Sequence, residues 1–146
     1  MSKQILRLTE TEAVIKIVGS SAETITLEED LLSPTQVLEE DLDPDHPPLQ
    51  GITPLKVGIT CVQWAAETNV TIVRGGTTIF DLPLTGTLDL AQGRSAADYE
   101  ESDQDITVTN IGGGTTILYL RKAGGYYSKF ETEYFGQHDD ITKVGE

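Results

Sequence analysis

Residues Leu55–Leu90 read LKVGITCVQWAAETNVTIVRGGTTIFDLPLTGTLDL, and this stretch decides the fold class. It holds four short runs rich in β-branched residues: LKVGITCVQW, NVTIVR, TTIFDL and GTLDL. Between the second and third lies Arg74-Gly75-Gly76-Thr77. Paired glycines supply the positive φ that a tight two-residue hairpin turn requires. The spacing predicts an antiparallel four-strand meander. Within its first run Leu55, Val57, Ile59 and Cys61 share one face, whereas Val62 and Trp64 fall on the other phase. Either both faces are covered, the second by a partner, or a bulge near Cys61 shifts the register.

Working outward, Ala13–Val18 (AVIKIV) reads as a strand with Lys16 pointing out. The break at Gly19-Ser20-Ser21 and the alternating TITL at Thr24–Leu27 suggest a hairpin. Toward the C-terminus, DITVTN and TTILYLR are joined by Ile111-Gly112-Gly113-Gly114, which reads as a second glycine hairpin. TTILYLR is apolar on both faces, as a central or doubly covered strand is. Facing hairpins of this kind predict an all-β protein: an antiparallel β-sandwich with extended N- and C-terminal segments.

The chain of 146 residues suits one domain, large enough to bury roughly 68–70% of its extended surface without disulfides. We expect an N-terminal arm at 1–12, one sandwich domain at 13–135, and a polar tail at 136–146. The arm carries Ile5, Leu6 and Leu8 and is either frayed or ordered against a partner. Residues 39–54 are acidic and proline-rich, and Pro44, Pro47 and Pro48 forbid a long regular element there. Residues 124–135 are aromatic: Tyr126, Tyr127, Phe130, Tyr134 and Phe135 are five of the nine aromatics of the chain. Such rings serve either as a last core-packed strand or as an interface. Trp64 is the sole tryptophan, a core residue or an interface anchor.

Ten Lys and Arg face 24 Asp and Glu, a net charge of −14. A surface so acidic repels phosphate backbones and argues against nucleic-acid binding. The first residues lack the apolar core of a signal peptide, and no run reaches the ~20 apolar residues of a membrane span, so a soluble product is expected. Cys61 lies in an apolar run and reads as a buried free thiol.

Catalytic chemistry has little to work with. His46 and His138 sit in acidic, loop-like surroundings, and no nucleophile elbow is present. Neither glycine turn is followed by the Gly-Lys-Ser or Gly-Lys-Thr of a phosphate loop. Asp41, Asp43 and Asp45 alternate like the first ligands of a Ca²⁺ loop. His46 replaces the sharp-turn glycine, however, and Pro47 and Pro48 follow, so no metal is assigned. Asn69-Val70-Thr71 spells a glycosylation acceptor but falls inside a predicted strand. No catalytic residue, cofactor or metal is expected.

AVIKIVGSSAETITLEEDLLSPTQ, ITCVQWAAETNVTIVRGGTTIFDLPLTG and DITVTNIGGGTTILYLRKAGGY together resemble the small all-β capsid decoration (cement) proteins of tailed bacteriophages, the marine and cyanobacterial type. The likeness covers residues 13–127 and excludes the acidic proline segment and most of the aromatic tail. It implies a jelly-roll sandwich, often a homotrimer, made in the host cytoplasm and seated on the capsid exterior. There it would stabilise contacts between subunits of the major capsid protein, with no membrane or nucleic acid involved. Interface candidates are Ile5, Leu6, Leu8, Trp64, Tyr126, Tyr127, Phe130, Tyr134 and Phe135. An alternative is a receptor- or carbohydrate-recognition module of a phage spike or fibre, with exposed aromatics as sugar platforms.

Overall fold

A computed structural model describes residues 2–38, 55–89 and 103–128. The elements are β1 (Ser2–Leu8), β2 (Glu12–Val18), β3 (Ala22–Ile25), β4 (Gln36–Leu38), β5 (Lys56–Arg74), β6 (Thr77–Asp89), β7 (Ile106–Thr109), β8 (Gly114–Gly124) and β9 (Tyr126–Ser128). All pairings are antiparallel, so the all-β class holds. Among the described residues seven strands share one sheet, and β4 pairs separately with β9.

The Arg74–Thr77 turn forms as its glycines predict, with φ of +58° at Gly75 and +79° at Gly76. The four runs around it do not form four strands. They merge into two, β5 and β6, which make one long hairpin. The two other expected hairpins are also absent: β2 pairs with β1 and β8, and β3 pairs with β7. β7 and β8 both lie along the same side of β5. Ala66 pairs with Gly114 and Thr71 with Thr109, five residues further along each strand, so the chain from β7 to β8 follows β5 without reversing.

What reads as turn chemistry in the sequence is a crease across the sheet. It passes through Gly19–Ser21 between β2 and β3 and through Asn110–Gly113 between β7 and β8. It continues through Ala66–Thr68 in β5 and Leu84 in β6, whose φ is +47°. Backbone bonds stitch the line together: the N–H of Gly19 donates to Gly114 O, that of Glu67 to Gly113 O, and that of Asn110 to Ser21 O. Extra residues at the crease loop outward, in the way a bulge bends a strand, and Ile111 is left 77% exposed.

The bend at the crease is large. Arg74 Nη1 donates to Val57 O at 2.7 Å, although the two residues are 17 apart in the same strand. A straight strand would separate them by about 56 Å at ~3.3 Å per residue. β5 therefore folds back on itself, and the sheet folds with it. Ile15, Ile17, Ile59, Val62, Leu118 and Leu120 from one side join Ile25, Val70, Ile72, Ile106 and Val108 from the other in a single apolar cluster. Each such side chain contributes roughly 1.5–3 kcal/mol on burial, and this drives the closure. Lys3 ties the outer strand to the far side, donating to Thr24 O at 2.9 Å and Asp30 Oδ2 at 2.8 Å.

A register shift between Ile59 and Cys61 answers the phase question. Val57, Ile59 and Val62 are all buried, and Cys61 turns to the outer face, half-buried rather than in the core. Its thiol is pushed up by burial and then by the Asp89 carboxylate. The expected arm at 1–12 contains an edge strand, β1, in register with β2 from Ser2–Val18 to Leu8–Ala13.

Candidate functional site

Of the interface candidates, Ile5 and Leu6 are 42% and 48% exposed on β1, where a register irregularity between Ile5 and Arg7 lifts Leu6 out of the ladder. Leu8 and Trp64 are half-buried and pack against the core cluster. The indole N–H of Trp64 donates to Pro83 O at 2.9 Å, and its ring covers Gly86, where a side chain would collide with it. Tyr126 and Tyr127 are half-buried on β9. Phe130, Tyr134, Phe135, His46, His138 and the Asp41–Asp45 cluster lie outside the described residues. The structure thus separates the candidates between the β1 edge, the core margin beside β6, and β9.

Among the described residues two cations, Arg74 and Lys122, are buried in the interior, and neither belongs to the interface candidates. Arg74 is 5% exposed. Besides its bond to Val57, its Nε and Nη2 donate to Gln104 O at 3.2 and 3.0 Å. Lys122 is 7% exposed, and its amine donates to Leu31 O at 2.7 Å and to Gln36 Oε1. The Tyr126 ring lies 4.8 Å below the same amine, within cation–π range. The signal was parity. Arg74 continues the inward series Val70, Ile72, and Lys122 continues Leu118, Leu120, so each places a charge where an apolar residue is due.

Lys122 sits at the floor of a cleft of about 230 Å³ lined by Glu10, Thr11, Gln36, Tyr126 and Ser128. Its neighbours are tied into one network. The Gln36 side-chain amide donates to Glu10 O at 2.8 Å, and the Thr35 hydroxyl donates to Glu10 Oε2 at 2.6 Å. The Tyr126 hydroxyl donates to Leu27 O at 2.7 Å, and burial pushes its acidity well below that of an ordinary tyrosine. The amine therefore fastens the small β4–β9 sheet to β8. It acts as a clamp held by two oxygen acceptors and the Tyr126 ring.

Burial also lowers the Lys122 amine from 10.5 to about 8, against an opposing pull from Glu10. Between about pH 8 and pH 10 the unfolded chain therefore binds more protons at this site than the folded one. Stability from this group rises with pH across that window and is flat below it. Urea unfolding at both ends of the window should show a steeper rise for wild type than for Lys122→Met. Parallel pH dependences would remove the buried amine from the account.

Among the described residues no group of three or more His, Cys, Asp or Glu is placed to hold a metal ion, and no helix is long and apolar enough to cross a membrane. No protein-family model matches the chain, and no curated protein matches its sequence.

Proposed function

We propose that the protein is a virion structural protein of a tailed phage, a capsid decoration or cement protein. It binds the outside of the head and bridges subunits of the major capsid protein, as a homotrimer synthesised in the host cytoplasm. A jelly-roll-like sandwich, with the two sides of the creased sheet as its layers, belongs to the same proposal. The sequence resemblance is its origin, and one structural observation supports it most. β1 is an edge strand that pairs only with β2 among the described residues, and it exposes Ile5 and Leu6 beside its free edge. An edge of that kind accepts an added strand from a neighbour, with main-chain bonds giving affinity and side-chain pockets giving specificity. Repetition over a symmetric shell multiplies weak contacts into firm attachment. The clamped β9 strand supports the same reading, because it gives the aromatic C-terminal segment a rigid starting point.

The sugar-binding alternative draws on exposed aromatic platforms. Tyr126 is poorly suited to that role, with its ring on Lys122 and its hydroxyl on Leu27.

The test is reconstitution. Purified protein mixed with phage heads stripped of it should co-sediment and raise the temperature at which the heads open. Retention on host polysaccharide without head binding would replace the cement reading with the recognition module.

A further inference from the structure

We infer that β1 is a latched strap: it opens from β2 as a unit while the core stays folded, and Lys3 is its latch. The proposal concerns the same sheet edge as the capsid reading but stands without it. Burial separates β1 from the strand it covers. None of its seven residues is buried; Lys3 and Leu8 are half-buried and the rest are exposed. β2, by contrast, sets Ala13, Ile15 and Ile17 in the core and pairs along its whole length with β8, from Glu12–Arg121 to Val18–Thr115. Opening β1 therefore breaks its ladder and loses little apolar contact beyond that of Leu8. Segments of that kind open well below the free energy of global unfolding.

One end of the strap is bolted and the other is held by a side chain. In the turn after β1 the Thr9 N–H donates to Glu12 O at 2.8 Å, and the Thr9 hydroxyl accepts from the Glu12 N–H at 3.0 Å. Glu10 fixes that turn to the body by accepting from Thr35 and Gln36, and Thr11 O accepts from the Lys122 N–H. A register irregularity between Ile5 and Arg7 then interrupts the ladder and sets the outer half of β1 apart from the turn. In that outer half Lys3 reaches past β2. Its amine donates to Thr24 O at 2.9 Å and to Asp30 Oδ2 at 2.8 Å, with Glu23 Oε1 at 3.7 Å. Asp30 Oδ2 also accepts from the Thr26 N–H at 2.8 Å, which holds the carboxylate in place to receive the amine. The latch thus joins β1 to β3 and the residues following it, whereas the ladder joins it to β2. Shut, the edge presents Ile5 and Leu6; open, it uncovers the main-chain groups of Glu12–Val18.

The experiment is native-state hydrogen exchange on the full chain, with Lys3→Met as the test and Lys56→Met as a control for the loss of one positive charge. Lys56 is exposed at the start of β5, with β8 and β2 lying between it and β1. The β1 amides that pair with β2 should exchange about tenfold or more faster than the ladder amides of β8, at a rate unchanged by low urea, the mark of local opening. Lys3→Met should speed β1 exchange about threefold to tenfold, as expected for charge-assisted bonds at a partly exposed site, and leave β8 as in wild type. Lys56→Met should stay within about twofold of wild type throughout, as surface changes do. If β1 exchanges at the β8 rate with the same urea dependence, it belongs to the cooperative core and the strap is overturned. Complete lack of protection in β1 overturns it as well, since nothing then holds the strap shut. Unchanged β1 exchange in Lys3→Met, or equal acceleration of β1 and β8, overturns Lys3 as the latch.

Discussion

Arg74→Met should lower the unfolding free energy by about 3–5 kcal/mol, the loss expected for charged hydrogen bonds to two buried carbonyls. Methionine fills most of the arginine volume, so the loss isolates the guanidinium. That group holds Val57 O with one nitrogen and Gln104 O with two others. Hydrogen bonds from a charged donor contribute about 1.5–3 kcal/mol each, and an orphaned buried carbonyl costs about 1–3 kcal/mol. Arg74→Lys should fall between, since a single ammonium cannot present the planar fork that reaches both carbonyls. Domains of this size are held by only about 5–15 kcal/mol, so the methionine variant should unfold at a visibly lower urea midpoint with an unchanged slope. A loss under about 1 kcal/mol would show that β5 folds back without this contact.

Gly114→Ala should be nearly as damaging, at about 3 kcal/mol or more from backbone strain plus collision. Gly114 has a φ of +146°, and an added Cβ would run into the Ala65 carbonyl oxygen, the Ala66 Cα and the Asn110 amide. The first two are backbone in the adjacent strand and cannot rotate away. Gly76→Ala is the matched control: its φ is +79°, but nothing lies within 4 Å of the new Cβ. It should show only the conformational penalty of about 1–2 kcal/mol. Equal losses at the two sites would mean that crowding at the crease contributes nothing, and would falsify the close approach of β8 to β5 as the reason for glycine there.

The two positions look alike in sequence. Both belong to glycine clusters flanked by β-branched runs, and both read as hairpin turns. Gly75-Gly76 does reverse the chain. Gly112–Gly114 does not, because the residues on either side of it pair with one continuous strand. The candidate site divides in the same way. Ile5 and Leu6 are legible as a small amphipathic patch, and the structure puts them on a strand that pairs only with β2 among the described residues. Lys122 and Arg74 are not legible as a site, since a lone cation at an inward position of a strand gains meaning only when its acceptors are known. Those acceptors come from distant parts of the chain: Leu31 and Gln36 for one, Val57 and Gln104 for the other.

Local chemistry by itself determined that this chain is all-β and antiparallel, where most strands run, that a tight turn falls at Gly75-Gly76, and that β8 is apolar on both faces. Alternation of side chains and the φ preference of glycine act within a few residues, so they are written in the local order. Only the tertiary structure decided whether Gly19–Ser21, Ala66–Thr68, Pro83–Thr85 and Ile111–Gly114 end strands or bend them. Turn and bulge draw on the same residues. They differ only in whether neighbouring strands break at the same level, and here four breaks line up into one crease. Alignment of that kind is a property of the register between strands tens of residues apart. It is set when the folded sheet buries both halves of its apolar face in one core.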